Sequence, residues 1–414
     1  MKRIVFAGAY GIQSQGDDAP LLVMTSMLRE TYGQFDGVVV SRPPGGAEYS
    51  ALGLRSVANF EYATKTESLG KWFRGFNPED DRTDLLKLES EIAGSDLLVL
   101  GAGNALVDQC FDLLRGPVPY FLALTLMARM SGVPVMWYGL SIGPLRTPMG
   151  RKYARLCLDL AASVTVRDAK SVVVARDIGY QGSCKQLPDP VLGLTAPAST
   201  PCSPKVLAWW RQAHDTSADV VAVSVRALPP GCMSHEEWVG QMAALLDTLH
   251  ELHGLRPLFI PQCTYSHGGP LEDDRVVAEQ VVAAMKHGDC AVQVKEHLSV
   301  DECLSLYAGA RLALCTRLHG VVFAAMNGIP VVAFGYHPKV EEFMHWLKQP
   351  EQIVPLETPD IEHWLGCAGK ALAMEQADRR RMIERVKEGR NQVQEYGRIA
   401  SALLAQGDDL ADYV

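Results

Sequence analysis

Residues 311–347 read RLALCTRLHGVVFAAMNGIPVVAFGYHPKVEEFMHWL, and they show most clearly what kind of fold this chain adopts. Residues 312–315 and 330–334 are short, continuous apolar runs, as expected of parallel strands that are covered on both faces. Residues 318–326 join these runs at helical length, and residues 338–347 follow as a second helix. The stretch therefore predicts a β-α-β unit of a parallel sheet, followed by a further helix.

Polar side chains are concentrated where the two predicted strands of this stretch lead into helices. They are Arg317 and His319 at the first junction, and Tyr336, His337 and Lys339 at the second. In open parallel sheets, ligands bind beyond the carboxyl ends of the strands, where helix amino-termini present unpaired N–H groups. Arg317 and Lys339 add full positive charges there, and His319 is a candidate proton donor. The pattern predicts a site for an anion such as phosphate or carboxylate.

A purely structural explanation stays open for each of these residues taken alone. Arg317 and Lys339 could be solvated charges at helix ends, and His319 could be a satisfied residue at a helix start. Polar residues on loops are enriched in function, so the three together favour a site. All eleven histidines follow residue 213, so any histidine catalyst must come from the second half of the chain.

The same alternation of strands and helices runs through the rest of the chain. Strands are predicted at residues 4–7, 38–40, 97–100, 133–138 and 163–166, and then at 220–225, 258–260, 291–294, 312–315 and 331–334. Helices are predicted at residues 20–30, 236–252, 271–286, 300–308, 318–327 and 338–347. This order is typical of an α/β fold, and we predict two Rossmann-like doubly wound domains that face a cleft.

The predicted domains are residues 1–195 and 196–373, joined by a linker rich in Pro, Ser and Thr at 189–218. A chain of 414 residues is longer than one core usually supports, which also favours two domains. The C-terminal helical stretch, 374–414, is expected to pack back on the first domain. The insert at 68–84 fits none of the predicted units, and a lid over the cleft and an ordinary surface excursion both remain open.

Charge and cysteine content limit the classes of function. The net charge of −9 and a pI near 5.7 argue against nucleic acid as a partner. The ten cysteines include no CxxC pair, so no metal site of that type is predicted. No signal peptide is recognisable at the amino-terminus, and we read the cysteines as reduced thiols of a cytoplasmic protein.

Two further motifs have weaker functional readings. The loop at residues 8–18 contains Gly16 and Asp17 and precedes a helix, but it matches neither a dinucleotide fingerprint nor a P-loop. A glycine-rich connection in which Asp17 or Asp18 caps the helix is an equally good reading. Residues 139–143 fit the letters G-x-S-x-G, but Pro144 follows where a nucleophile elbow would start a helix, so a serine hydrolase is disfavoured.

Several motifs together resemble the polysaccharide pyruvyl transferase family. The specific ones are Thr316-Arg317-Leu318-His319-Gly320, Gly328-Ile329-Pro330 and Tyr336-His337-Pro338-Lys339. Others agree in order along both predicted domains: Gly16-Asp17-Asp18-Ala19, Gly101-Ala102-Gly103, Ser141-Ile142-Gly143-Pro144, Val166-Arg167-Asp168, Asp189-Pro190 and Val223-Ser224-Val225-Arg226.

The resemblance implies a GT-B-like fold, phosphoenolpyruvate as donor and a sugar diol as acceptor, with a pyruvate ketal and phosphate as products. It implies His319 as general acid, with Arg317 and Lys339 stabilising the developing phosphate charge. Further substrate contacts are implied at Arg167, Arg226, Gly16, Asp17, Asn104, Tyr336 and His337. Neither a metal nor any other cofactor is required, since phosphoenolpyruvate is a co-substrate.

Two other functions remain open beside pyruvyl transfer. One is a nucleotide-sugar glycosyltransferase of the same architecture, in which Glu341 or Glu342 would bind the ribose. The other is a non-catalytic saccharide-binding protein that kept the fold. A lipid-linked saccharide as acceptor would place the protein at the inner face of the membrane, as a peripheral protein.

Overall fold

The computed structural model describes residues 1–42, 47–64, 66–108, 115–195, 208, 211, 219–264, 269–358 and 360–411. Of the predicted linker at 189–218, residues 196–207, 209–210 and 212–218 lie outside the described residues, as do Cys110 and Cys202. The chain forms two compact units. The first comprises Met1–Ile12, Asp17–Gly193 and Gly389–Val414, and the second comprises Gln13–Gly16 and Leu194–Glu388.

The first unit is built on a seven-stranded parallel sheet. Its strands are β1 (Arg3–Ala7), β2 (Asp36–Ser41), β3 (Leu54–Ala58), β4 (Leu97–Leu106), β5 (Val135–Ile142), β6 (Ser163–Val166) and β7 (Lys185–Gln186), in the order β3-β2-β1-β4-β5-β6-β7. Its helices are α1 (Gln15–Thr31), α2 (Ala47–Ala51), α3 (Thr83–Ala93), α4 (Pro117–Met130), α5 (Pro148–Asp159) and α6 (Ala169–Asp177). The first two residues of α1, Gln15 and Gly16, are assigned to the second unit. The central strands are buried along nearly their whole length, which explains why they read as unbroken apolar runs.

The second unit repeats this plan with six parallel strands. They are β8 (Val220–Ser224), β9 (Arg256–Phe259), β10 (Val292–Gln293), β11 (Leu312–Cys315), β12 (Val331–Phe334) and β13 (Ile353–Val354), in the order β10-β9-β8-β11-β12-β13. The helices are α7 (His235–His253), α8 (Asp274–Ala284), α9 (Val300–Tyr307), α10 (Leu318–Met326), α11 (Pro338–Leu347), α12 (Ile361–Leu372) and α13 (Gln376–Ala411). Helices α7 and α9 each begin with a complete capping box, at Ser234 and Ser299.

The long helix α13 contributes to both units, because the boundary between them falls at Gly389. Its carboxyl half packs within the first unit. There the Tyr396 hydroxyl donates to the Pro188 carbonyl at 3.0 Å, and Arg390 Nε donates to the Leu192 carbonyl at 3.2 Å. The Tyr396 ring also meets Tyr138 edge-on, with centroids 4.9 Å apart.

The insert at residues 68–84 is attached to the first core by aromatic side chains. The Phe60 ring lies 5.0 Å from that of Phe73 and 4.5 Å from that of Tyr120. Phe73 is only 4% exposed. Asp80 accepts hydrogen bonds from the Tyr62 hydroxyl at 2.6 Å and from the Gly75 N–H at 2.8 Å, which fixes the turn of the insert.

Some elements differ from the sequence-based predictions. Helix α1 begins at Gln15 instead of residue 20, so Pro20 lies inside the helix and has no N–H to donate to the Gly16 carbonyl. Strands β3, β7 and β13 and helices α2, α3, α5, α6 and α12 were not predicted. Strands β7 and β13 have two residues each, which is too short to produce an apolar period.

Candidate active site

In the second sheet the strand order reverses between β8 and β11, and three functional candidates follow the strands around that point. Arg226 comes two residues after β8, Arg317 two residues after β11, and Tyr336 two residues after β12. In doubly wound sheets this switch point is where ligands bind. The side chains predicted from the two strand-to-helix junctions are therefore at the edge of the sheet where ligands bind in doubly wound folds.

Gly320 allows α10 to start close to the strands. A Cβ atom at this position would lie 2.9 Å from the Tyr307 hydroxyl and 3.2 Å from Ser224 Cβ. Any larger residue would push the start of α10 away from β8. The glycine thus keeps Arg317, the residue before α10, and His319, its second residue, next to the strand ends.

Tyr336 lies where the positive charges of the second unit converge. Arg226 Nη1 donates to the Tyr336 hydroxyl at 3.1 Å, and the Arg226 guanidinium lies 4.8 Å from the centre of the ring. Burial alone would raise the pKa of the phenol, but Lys339, Arg226 and Arg317 together lower the pKa to about 8. The local potential therefore favours an anion strongly enough to overcome the burial of the group.

Arg317 is held by a buried carboxylate. Its Nη2 donates to Asp274 Oδ1 at 2.6 Å, and its Nε lies 3.2 Å from both carboxylate oxygens. Their side chains are 19% and 2% exposed. Burial works against the charged guanidinium, yet attraction to Asp274 prevails and the pKa of Arg317 is raised. Part of the Arg317 charge is thus balanced within the protein.

Asp274 was not singled out from the sequence. It also accepts the backbone N–H of Gln262 at 3.0 Å and that of Cys263 at 2.9 Å. Its neighbour Asp273 is the helix cap of α8, accepting from the Arg275 N–H at 2.9 Å. An Asp-Asp pair before a helix suggests caps, and nothing in the sequence shows which of the two faces Arg317.

His319 lies directly against Gly16. A Cβ atom on Gly16 would fall 2.0 Å from His319 Nδ1 and 2.5 Å from its Cε1, far inside any allowed contact. The Nε2 atom of the same ring is buried. Gly16 thus contacts the candidate proton donor, and its own contact with substrate stays a prediction.

His337 caps α11, since its Nδ1 accepts the backbone N–H of Lys339 at 3.3 Å. Lys339 is in the first turn of that helix, where the partial positive charge of the helix end disfavours a cation by roughly 0.3–1 kcal/mol. Helix stability therefore does not account for Lys339. Its charge acts instead on Tyr336, where it is the largest influence lowering the pKa.

A cavity of about 300 Å³ opens where β8, β9 and β10 end against α8. Asp274 and Val225, the residue before Arg226, lie on its wall, and Arg275, Glu279 and Lys295 add charge around it. Its volume is at the lower limit for a small-molecule pocket. Within the ranges that the structure describes, no group of three or more His, Cys, Asp or Glu side chains could hold a metal ion.

The switch point of the first unit, between β1 and β4, has the opposite character. Here a Cβ atom on Gly103 would lie 3.6 Å from an Asp17 carboxylate oxygen. The buried Tyr10 hydroxyl donates to the Gly101 carbonyl at 2.6 Å. Burial, followed by the negative charges of Asp18 and Asp17, raises the pKa of Tyr10. Asn104, with a buried Oδ1 atom, follows on the same strand.

Arg167 belongs to a buried polar network in the first unit. It donates to Asp189 Oδ2 at 3.0 Å, with both side chains 5% exposed, and to Ser141 Oγ at 2.8 Å. Ser141 in turn donates to Asp168 at 2.7 Å, and Asp168 caps α6. These contacts give Arg167 a structural role, and its assignment to substrate binding stays a prediction.

The sequence model for polysaccharide pyruvyl transferases matches residues 4–338, which include β1 through the start of α11. The chain belongs to this family. This chain is similar to the amylovoran biosynthesis protein AmsJ of Erwinia amylovora, to which it is 24% identical over 262 residues. That match covers 62% of this chain and 60% of AmsJ.

Solved structures show the fold of this pyruvyl transferase family member. The UDP-GlcNAc 2-epimerase of Methanocaldococcus jannaschii is similar with a TM-score of 0.61 and 12% identity, covering 91% of this chain and 94% of the epimerase. The N-terminal domain of trehalose-6-phosphate phosphatase from Candida albicans has a TM-score of 0.58 at 12% identity, covering 98% and 97%. The predicted α/β class, two Rossmann-like doubly wound domains of GT-B type, is confirmed. Among the described residues, every helix is too short or too polar to cross a membrane.

Proposed function

We propose that this transferase moves the pyruvyl group of phosphoenolpyruvate onto a sugar diol, forming a pyruvate ketal and releasing phosphate. The observation that carries this proposal is the cationic cluster at Tyr336, where Arg226 Nη1 lies 3.1 Å from the hydroxyl and the guanidinium 4.8 Å from the ring centre. Lys339, Arg226 and Arg317 lower the pKa of the phenol to about 8 in spite of burial, which agrees with this geometry. Phosphoenolpyruvate carries a phosphate and a carboxylate, so it requires such a convergence of cations. Membership of the pyruvyl transferase family supports the same donor chemistry.

The cations have unequal roles in this proposal. Arg317 shares its charge with Asp274, so its fixed guanidinium orients the anion more than it adds net charge. Arg226 and Lys339 then provide most of the attraction for phosphate and carboxylate. Arg guanidinium groups suit both anions because their planar fork can bind two oxygens at once.

His319 is the proposed general acid. Protonation of C3 of phosphoenolpyruvate by the imidazolium makes C2 electrophilic, and an acceptor hydroxyl forms a bond to C2 while its proton returns to the imidazole. A second hydroxyl of the acceptor then displaces phosphate from C2, and its proton leaves with the phosphate. The sum is one diol plus phosphoenolpyruvate giving one ketal plus phosphate, with no oxidant or metal in the balance.

A saccharide, free or lipid-linked, is the proposed acceptor. The family is named for polysaccharide pyruvyl transfer and the relative AmsJ for amylovoran biosynthesis, which supports this class. Asp17 and Asn104 of the first unit are proposed to accept hydrogen bonds from its hydroxyl groups. We place the reaction in the cytoplasm, at the inner face of the membrane when the acceptor is lipid-linked.

The proposal is tested by incubating the protein with phosphoenolpyruvate and a panel of saccharides. We expect phosphate release together with an acceptor whose mass has increased by one pyruvate ketal. His319→Ala should lower the rate by about 10²–10⁴-fold, the usual contribution of a general acid. His345→Ala, an exposed histidine on α11, is the matched control and should keep the wild-type rate.

A nucleotide-sugar glycosyltransferase would behave differently in the same assay. Thermal unfolding with phosphoenolpyruvate and with nucleotide sugars separates the two functions, because a bound ligand raises the melting temperature. Stabilisation by nucleotide sugars alone, with no phosphate release from phosphoenolpyruvate, would contradict the proposed donor. Saturable saccharide binding without turnover of either donor would point to a non-catalytic protein.

A further inference from the structure

Residues Gln13–Gly16 belong to the second unit, although the chain on both sides of them belongs to the first. They form an edge contact with the loop that follows β9. The Gln15 N–H donates to the Gln262 carbonyl at 2.9 Å, and the Thr264 N–H donates to the Gln13 carbonyl at 3.1 Å. Ser14 and Cys263 pair as an isolated antiparallel bridge between these bonds. We call residues 13–16 the strap.

Side chains fix the strap further. Gln15 is 2% exposed, and its Nε2 donates to the Leu298 carbonyl. Thr264 Oγ1 bonds to Gln13 Oε1 at 3.1 Å. Gln13 has a φ angle of 49°, in the left-handed region that residues with a side chain rarely adopt. A segment held in such a conformation by several bonds is a defined structure, and it ends at the glycine that touches His319.

The loop after β9 makes hydrogen bonds both to Asp274 and to the strap. Its residues Gln262 and Cys263 donate their N–H groups to Asp274, which holds Arg317, while the Gln262 carbonyl holds the strap. Arg317 and His319 are two residues apart at the start of α10. The loop thus gives the guanidinium and the imidazole a common support.

We propose that the strap is a positioning element for His319, and that Gly16 sets where the imidazole lies. The absence of a side chain at residue 16 lets the ring rest against the strap, with Nδ1 in the space that a Cβ would fill. Gly16 is a positioning residue, since it acts through His319. The catalytic consequence rests on the proposed proton-donor role of His319, whereas the placement of the ring does not.

The test is Gly16→Ala in the full chain, with two readouts. In ¹⁵N-edited NMR spectra of the histidine rings, assigned with His319→Ala, the His319 signals should shift while the other ten histidines stay in place. In the phosphoenolpyruvate assay, kcat should fall roughly 10- to 100-fold with little change in KM, as expected when a reacting group is displaced by about 1 Å. In the His319→Ala background, Gly16→Ala should cause no further loss.

Gly240→Ala is the matched control, because a Cβ there meets no atom within 4 Å, and it should change neither readout. Thr264→Val removes the hydroxyl that bonds to Gln13 at the other end of the strap. It is the variant to use if Gly16→Ala does not fold. Unchanged His319 signals, or an equal loss of rate with and without His319, would overturn the proposal. If the wild type releases no phosphate from phosphoenolpyruvate, the proposed function fails, and the NMR readout still decides the role of the strap.

Discussion

The two units share one topology, and the strand order reverses between β1 and β4 in the first and between β8 and β11 in the second. A tyrosine lies near each of these switch points, and the pKa values of the two tyrosines are shifted in opposite directions. The pKa of Tyr336 is lowered to about 8 by three cations, whereas burial, Asp18 and Asp17 raise that of Tyr10. The fold supplies two equivalent crevices, and a few loop residues decide what each can bind. The proposed donor, which has two anionic groups, would suit the second unit, and the proposed hydroxyl-rich acceptor would suit the first.

At the switch point of the second unit, we expect the largest effect from removing the Asp274 carboxylate, which holds Arg317. Asp274→Asn leaves a largely buried guanidinium without its countercharge, and breaking such a pair costs about 3 kcal/mol or more. We expect the free energy of unfolding in urea to fall by about this amount. Asp289→Asn, an exposed control, should change it by less than about 0.5 kcal/mol. Equal stability of the two variants would mean that Asp274 does not anchor Arg317.

Titration of Tyr336 and Tyr10 measures directly how the pKa values of the two phenols differ. Phenolate absorbance of the wild type should include one group ionising near pH 8, which Tyr336→Phe removes and Tyr10→Phe leaves in place. A step near pH 8 that survives in Tyr336→Phe would show that the cations do not act on Tyr336.

The lowered pKa of the Tyr336 phenol predicts that the stability of the protein depends on pH. Because the pKa of Tyr336 in the folded protein is about 8, below the unfolded value near 10, its contribution is fully present above about pH 10 and is lost as the pH falls through about 8. Urea unfolding at several pH values across this window should show wild type gaining stability relative to Tyr336→Phe as the pH rises. The opposite slope would contradict the lowered pKa.

We expect the smallest effect at the switch point of the first unit, where Asp17 lies. Asp17→Asn removes a charge from the first switch point and should weaken the proposed hydrogen bond to an acceptor hydroxyl by about 0.5–1.5 kcal/mol. The KM for the acceptor should rise about 2- to 10-fold while the KM for phosphoenolpyruvate stays constant. A change confined to phosphoenolpyruvate would place Asp17 with the donor and remove the contrast between the units.

The sequence predicted the elements with a strong local signal. Strand β11 and helix α10 are continuous apolar runs. Polar Thr316 and Arg317 follow the strand and Asn327-Gly328 follows the helix, so their bounds can be read from the sequence. The doubly wound class and the junction residues followed from the repeated β-α alternation, whereas the order of the strands in each sheet came from the structure. The two-residue strand β13 carries no such period and was missed.

Contacts between distant residues were out of reach of periodicity. Gly16 precedes His319 by 303 positions (319 − 16), and only the folded chain shows that the glycine makes room for the imidazole. Asp274 looks like its neighbour Asp273 until the structure shows which carboxylate is buried against Arg317. Both residues act through partners that tertiary packing selects, and a single sequence does not encode the partner locally.

Binding of phosphoenolpyruvate, measured by titration calorimetry on wild type, Lys339→Met and Lys370→Met, tests most directly whether the second switch point is the donor site. Lys370 is an exposed lysine on α12 and serves as the control. We predict that wild type and Lys370→Met bind alike and that Lys339→Met loses about tenfold or more in affinity, the value of a hydrogen bond to a charged group. Binding to Lys339→Met as tight as to wild type, or no binding to any of the three, would contradict the account.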